Sequence, residues 1–355
     1  MRAGELFGIG TTYQPIFWGV ILSLILSSMF VPLFIKVSRK LNVLDSPTSG
    51  NHKTHTEPIP YLGGLAIASA SLISNALTFY FGDYSANAEK LALVVSLGLI
   101  AMTILGLADD VKPRGAKQRL LFQTLISLTV SIFLYGLDFV KVQLTGNPYV
   151  NVLICSFLLV SICNFLNMFD NHDGSASGVS LLILLSILFL SIKSNQTLVL
   201  AMSSILITAI LPFLFWNLPP ARIYLGDSGA TFLGTSIGVL LVSIDFTTLS
   251  PLNAILASFC LIGILILDFS VAVLSRLRRR ISPMIGDKAH TAHRLIRLSL
   301  SKKQTTLVIW FITIWFSTHG ILATFTSGLK LQLLFTSASL SYIALTYLFL
   351  RQPDE

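Results

Sequence analysis

The chain has 355 residues, of which 54% are hydrophobic and only 11% charged, and its formal net charge is +8. A soluble domain carries roughly a quarter charged residues, so a soluble globule is excluded. The basic residues flank apolar runs and do not alternate with aromatics on a polar surface, which argues for a membrane and against nucleic acid as the partner. Cys155, Cys163 and Cys260 sit inside apolar runs at no spacing suited to zinc or a disulfide framework, and they read as buried free thiols.

A helix needs about 20 apolar residues to cross the hydrocarbon core. Runs of that kind lie at about 15–38, 62–82, 91–108, 118–137, 149–168, 175–193, 197–216, 228–244, 247–274, 305–326 and 331–350. They predict an all-α bundle of about eleven transmembrane spans, one integral membrane domain over 1–355. The runs are continuously apolar and too long for barrel strands. The first is also too long for a cleaved signal and is expected to be retained. Cytoplasmic loops hold the excess of Lys and Arg. With the N-terminus outside, nineteen such residues fall on the cytoplasmic segments and five on the other side. An external N-terminus and a cytoplasmic C-terminus follow. The same assignment gathers Asp109, Asp110, Asp170, Asp173, Asp227, His290 and His293 on the cytoplasmic face, although the charge count did not use them.

Asp109 and Asp110 close the third span. Adjacent carboxylates there repel unless a cation or a proton lies between them; the bland alternative is a solvated loop start neutralised by Lys112 and Arg114. At the end of the fifth span, Asn164, Asn167 and Asp170 recur every three residues and would share one helix face, with Asp173 continuing the spacing before Gly174. Polar groups so close to hydrocarbon usually line a cavity, although Asp and Asn also favour helix ends. The loop from Asn217 to Gly229 brings Tyr224 and Asp227 into the eighth span, where Asp227 reads equally as a helix cap or as a hard oxygen ligand. Beyond the ninth span, Arg276, Arg278, Arg279 and Arg280 suit anionic lipid. Lys288, His290, His293 and Arg294 suit a phosphate or diphosphate, and no Cys or Glu accompanies the histidines at zinc spacing.

These motifs, taken together and in order, resemble those of the polyprenyl-phosphate N-acetylhexosamine-1-phosphate transferases, glycosyltransferase family 4. The resemblance runs from Asp45-Ser46-Pro47 through His52-Lys53-Thr54-His55 and Pro58 to Gly64, then Gly106-Leu107-Ala108-Asp109-Asp110, the stretch 164–174, the stretch 221–229, and Asp268 followed by Asp287 to Leu295. The basic ninth loop and the Lys53/His55 segment are closer to the undecaprenyl-phosphate N-acetylglucosaminyl-1-phosphate transferases than to the phospho-N-acetylmuramoyl-pentapeptide branch. Three departures stand out: Val111-Lys112-Pro113-Arg114 after the acidic pair, Asn171 in place of a glycine, and Ala292 inside the histidine run.

The resemblance implies transfer of a sugar 1-phosphate from a UDP-sugar, UDP-N-acetylglucosamine first, to undecaprenyl phosphate, with UMP released, for cell-envelope polysaccharide synthesis. It implies Mg²⁺, with Mn²⁺ as a substitute, held by Asp227 and Asp110. Asp109, Asp110 and His290 take the catalytic positions. Lys53, Asn164, Asn167, Asp170, Asp173, Asn217, Tyr224, His293 and Arg294 take the substrate positions, with Tyr224 stacking on uracil. Asp268, costly inside a span unless paired, is expected to orient the basic ninth loop. The expected partners are undecaprenyl phosphate, the UDP-sugar, the bilayer of a bacterial inner membrane with the site facing the cytoplasm, and a second copy of the chain. Other readings compete. A CDP-alcohol phosphatidyltransferase would need Asp-Gly and Ala-Arg in one compact stretch, whereas Asp173-Gly174 and Ala221-Arg222 lie two spans apart. A transporter would place polar groups at the midplane within inverted repeats. A non-catalytic lipid-phosphate sensor would keep the motifs without turnover.

Overall fold

The computed structural model describes residues 13–45, 58–141, 143–246, 249–282 and 287–352. The chain folds as α1 (Gln14–Lys40), a two-stranded ribbon of β1 (Leu44–Asp45) and β2 (Ile59–Pro60), then α2 (Gly63–Phe81), α3 (Ala86–Val111), α4 (Ala116–Gly136), α5 (Pro148–Phe169), α6 (Ser175–Lys193) and α7 (Thr197–Asn217). It continues with α8 (Gly226–Ser243), α9 (Pro251–Leu261), α10 (Gly263–Arg278), α11 (Thr291–Arg297), α12 (Lys302–Ala323) and α13 (Gly328–Leu350). Without water, an apolar segment satisfies its backbone within its own helix, and local signals set several starts. Ser85 caps α3; Asn147 with Pro148 opens α5, and Ser250 with Pro251 opens α9. Ser301 and Gln304 form a capping box on α12.

Among the described residues nine helices are long and apolar enough to cross a membrane, and ten if α9 and α10, bent by 75°, count as one span. The protein is a multi-pass membrane protein. Of the about eleven spans expected, α8 is the one that composition does not mark as a span, being rich in Gly, Ser and Thr. Every residue of α8 except Asp227 is buried, and α2, α3, α5 and α6 pack around it, so its composition answers to protein neighbours and not to lipid. It still traverses the bundle. At its far end the Lys141 amide donates to Val242 O at 3.0 Å, and Gln196 Nε2 donates to Ser243 O at 2.8 Å.

Small side chains bring helices close where no hydrophobic force separates helix from lipid. Ser23 Oγ of α1 donates to Ile205 O at 2.8 Å and Ser27 Oγ to Ala209 O at 2.6 Å, both on α7. The ribbon pairs Leu44 with Pro60 and Asp45 with Ile59. The Tyr224 amide donates to Pro60 O at 2.8 Å, which fastens the loop before α8 to that ribbon.

Candidate active site

The N-terminus of α2, the C-terminus of α3 and the N-terminus of α8 meet at one end of the bundle. Gly63 N–H donates to Tyr224 O at 3.1 Å and Gly64 N–H to Leu225 O at 2.8 Å. A Cβ on Gly64 would fall 2.1 Å from the Gly229 nitrogen, and one on Gly106 2.4 Å from Asp227 O. Neither position has room for a side chain. Gly226 turns with φ +74°, a conformation that favours glycine, and so starts α8 directly against α3.

Asp110 fills the start of α8. Its Oδ1 accepts the Asp227 amide at 2.7 Å and its Oδ2 the Ser228 amide at 3.0 Å, satisfying donors that a helix start leaves open. Asp227 is therefore not the cap. Its side chain, about a third exposed at 35%, accepts from Asn167 Nδ2 at 2.8 Å and from Arg119 Nη1 at 3.3 Å. Beside it Asp109 is buried, and neither of its oxygens has a hydrogen-bond partner among the described residues. Arg119 Nη1 stands 3.7 Å from Asp109 Oδ2.

Asp170 follows the last residue of α5. It keeps some solvent exposure, yet the protein packed around it, with Asp227, Asp110 and Asp173 nearby, pushes its pKa up to about 8. The Tyr61 and Tyr224 rings meet edge to face, centroids 6.0 Å apart. Burial first, and then carboxylates including Asp45 and Asp170, push both phenols well above their ordinary value. Asp173 is buried; its Oδ2 accepts the Ala221 amide at 3.2 Å and lies 3.9 Å from Lys302 Nζ.

A second cluster surrounds the start of α11. His290 Nδ1 is 2.8 Å from Asp268 Oδ2, and the Thr291 amide donates to Asp268 Oδ1 at 2.7 Å. His290 Nε2 faces Arg276 Nη2 at 3.1 Å. A guanidinium can only donate, so Nε2 accepts and Nδ1 carries the proton. Arg276 also donates to Asp287 Oδ1 from Nε at 3.1 Å and from Nη2 at 2.9 Å, while Arg279 pairs with the other Asp287 oxygen. Burial would raise the Asp287 carboxyl, but Arg279 and Arg276 hold it below the usual range. His293 is pushed down to about 4 by burial, with His290, His172, Arg297 and Lys288 adding to the effect.

Residues 92–245 match glycosyl transferase family 4. The chain is 29% identical over 305 residues to the probable undecaprenyl-phosphate N-acetylglucosaminyl 1-phosphate transferase of Bacillus subtilis (strain 168), covering 85% of this chain and 83% of that protein. It is 25% identical over 309 residues to the undecaprenyl-phosphate alpha-N-acetylglucosaminyl 1-phosphate transferase of Escherichia coli (strain K12), covering 83% and 81%. Over residues 92–245 the chain is similar to glycosyl transferase family 4. A phospho-N-acetylmuramoyl-pentapeptide-transferase of Thermoanaerobacter sp. (strain X514) is 25% identical over 320 residues, covering 85% and 96%.

The matched segment contains Asp109, Asp110, Asn164, Asn167, Asp170, Asp173, Asn217, Tyr224 and Asp227, while the histidine segment lies beyond it. Lys53 lies outside the described residues. Several expected roles change. Asn164 does not join Asn167 at Asp227; its Nδ2 donates to Gln123 Oε1 and Val160 O, both at 2.8 Å. Asn217 is buried and engaged at both ends of its amide: its Oδ1 accepts from the Gly174 amide at 3.1 Å and Ser177 Oγ at 2.7 Å, and its Nδ2 donates to Ile223 O at 2.9 Å. It braces two loops and is not a free nucleoside contact. His290 has both ring nitrogens engaged by protein, so it is not placed as a charged phosphate donor. Arg294 is fully buried, with Nε on Ala289 O at 2.8 Å and Nη1 on Phe349 O at 2.7 Å, which removes it from the phosphate partners. Arg119 is the cation that the motifs did not single out. It was legible as the first of a four-residue polar stripe on α4, followed by Gln123, Ser127 and Ser131.

Among the described residues, no group of three or more His, Cys, Asp or Glu side chains is arranged to hold a metal ion. Mg²⁺ needs no such cage, because it takes one or two carboxylates with phosphate oxygens and water. The oxygens of buried Asp109, which make no hydrogen bond, beside the presented carboxylate of Asp227 and the guanidinium of Arg119 that both aspartates share, fit that donor chemistry.

Proposed function

We propose that the chain transfers N-acetylglucosamine 1-phosphate from UDP-N-acetylglucosamine to undecaprenyl phosphate, at the cytoplasmic face of a bacterial inner membrane, for cell-envelope polysaccharide synthesis. The reading rests on the family, on what the relatives are named for, and above all on one observation. Asp227 is the one α8 residue not buried, and it is presented between Asn167 and Arg119, beside an Asp109 whose carboxylate is ion-paired to the same arginine but makes no hydrogen bond.

An oxygen of the lipid phosphate attacks the phosphorus that carries the sugar. The bond from that phosphorus to the bridging oxygen of UMP breaks, UMP leaves with the electron pair, and a lipid-linked sugar diphosphate remains. The lipid phosphate is already ionised near neutral pH, so Asp109 serves as an orienting group and not as an obligatory base. Transfer between anions is mainly a matter of alignment and charge neutralisation. Arg119 supplies fixed positive charge. Asp227 with Asp109 would hold Mg²⁺, while Asp110, whose oxygens already serve α8, would support the site by fixing the backbone of Asp227. The bound ion would draw the diphosphate oxygens together and stabilise the charge on departing UMP. Asp170, at the end of α5 beside these carboxylates, would contact substrate. Tyr224, backed by Tyr61, offers an aromatic face to uracil.

The test is exchange of labelled UMP into UDP-sugar by the purified chain with undecaprenyl phosphate and magnesium, across a panel of UDP-sugars. Exchange with UDP-N-acetylglucosamine is expected. Product from another sugar nucleotide alone would overturn the sugar, and no exchange with any would leave a sensor or transporter.

A further inference from the structure

α11 has seven residues, too short to persist as an isolated helix, so its neighbours must fix the orientation of His290 and His293. Two contacts bracket His290. On one side the Thr291 amide is held by Asp268. On the other, Ala289 O accepts from Arg294 Nε.

Arg294 also reaches out of its own segment. Its Nη1 donates to Phe349 O at 2.7 Å and Gln352 O at 3.3 Å, carbonyls at the C-terminal end of α13. Arg278, at the end of α10, donates from Nη1 to Leu350 O at 3.2 Å. The last turn of a helix presents carbonyls without intrahelical partners and the negative end of its dipole, so two arginines from the histidine-bearing region bind it. Arg294 is 0% exposed. A buried guanidinium is costly unless its donors are met, so this geometry has little slack. α12, which follows α11 directly, holds the loop between α5 and α6 through Thr306 Oγ1, which donates to Asp173 O at 3.0 Å, and this ties α11 to the carboxylate-bearing loops.

We infer that Arg294 and the final turn of α13 form a clamp that positions residues 289–293 for the transfer step. The inference rests on the proposed function. It makes Arg294 a positioning residue that does not touch substrate, and it makes the C-terminal helix, outside the matched family segment, part of the catalytic scaffold.

The test compares wild type with Arg294→Gln, Arg294→Lys and Arg278→Gln in the full chain. It measures kcat and KM for UDP-N-acetylglucosamine, thermal stability, and amide exchange in α11 against α2, α3 and α8. A misplacement of about 1 Å can cost a hundredfold in rate. Arg294→Gln is therefore expected to lower kcat about tenfold or more with KM within about twofold, and to raise exchange in α11 alone. Lysine can meet one of the carbonyls but not span them, so Arg294→Lys should recover part of kcat. Arg278→Gln, at an exposed position, should fold and give a smaller change in the same direction, which keeps the idea testable if Arg294→Gln does not fold. Full kcat with a loosened α11 would overturn the inference, as would a kcat loss that follows stability with exchange raised throughout the bundle. A wild-type chain that transfers nothing would overturn the functional reading and the catalytic half of this one. The exchange pattern would then decide the clamp alone.

Discussion

Asp110 takes the backbone amide of Asp227 on Oδ1 at 2.7 Å, while the Asp227 carboxylate turns away to Asn167 and Arg119. One aspartate thus anchors the helix and the other is presented by it. Two aspartates 117 residues apart in the chain divide into a structural and a chemical role, and the division can be measured.

Replacing Asp110 should cost stability first. Asp110→Ala leaves the Asp227 and Ser228 amides without their acceptor, at a cost of about 1–3 kcal/mol. Asp110→Asn keeps one carbonyl acceptor and should fall between. Thermal unfolding in detergent, with and without magnesium, reads the difference. Wild-type stability in Asp110→Ala would show that water or another group caps α8.

Asp227→Asn should do the reverse. The side chain caps nothing, and the amide oxygen can still accept from Asn167, so expression and melting temperature should stay close to wild type. Turnover should fall about a hundredfold or more, as when electrostatic stabilisation is removed elsewhere, with altered magnesium dependence. Full activity with unchanged magnesium dependence would move the metal assignment to Asp109, Asp110 and Asp173.

The histidines should separate by pH and by stability. His293 is held near 4 in the fold against 6.5 ordinarily, so between these values the unfolded chain binds the proton and the folded chain does not. Stability therefore falls as pH drops from about 6.5 to about 4. His293→Gln should flatten that part of the profile. His290→Ala should lower both turnover and stability more than His293→Ala, because it strips buried Asp268 and Arg276 of a shared partner. Equal turnover of His290→Ala and wild type at saturating substrate would take the histidine out of the site.

Topology is tested independently of chemistry. A Cys placed at Ser282, at the end that carries the polar clusters, should resist a membrane-impermeant thiol reagent in intact cells and react once the cells are opened. Reaction in intact cells would invert the orientation.

The spans and the ordered motifs were legible because a bilayer demands long apolar runs and because Gly106, Gly226 and the aspartates fall at helix ends, where composition changes abruptly. The fates of Asn217, His290 and Arg294 were not legible. Each bonds groups distant in the chain, Gly174, Asp268 and Phe349 respectively, and a side chain satisfied across such separations looks in the sequence like one free to bind ligand. The Asn164 and Asn167 spacing placed both near one face, but a helix face is broad enough for one to meet Gln123 on α4 while the other meets Asp227 on α8. Asp268 was the easier case: a carboxylate inside a span needs a partner, and His290 is that partner.

The wall of protein around α8 bears on how the chain is made. A segment rich in Gly, Ser and Thr partitions weakly into lipid by itself, so during synthesis it has little reason to stay in the bilayer until α2, α3 and α5, which precede it in the chain, are there to receive it. The carboxylate of Asp227 then reaches its depth only as the pocket around it assembles. A mutation on the α3 or α5 surface that faces α8 should accordingly act at biogenesis, reducing the amount of inserted protein before it alters the activity of any molecule that matures.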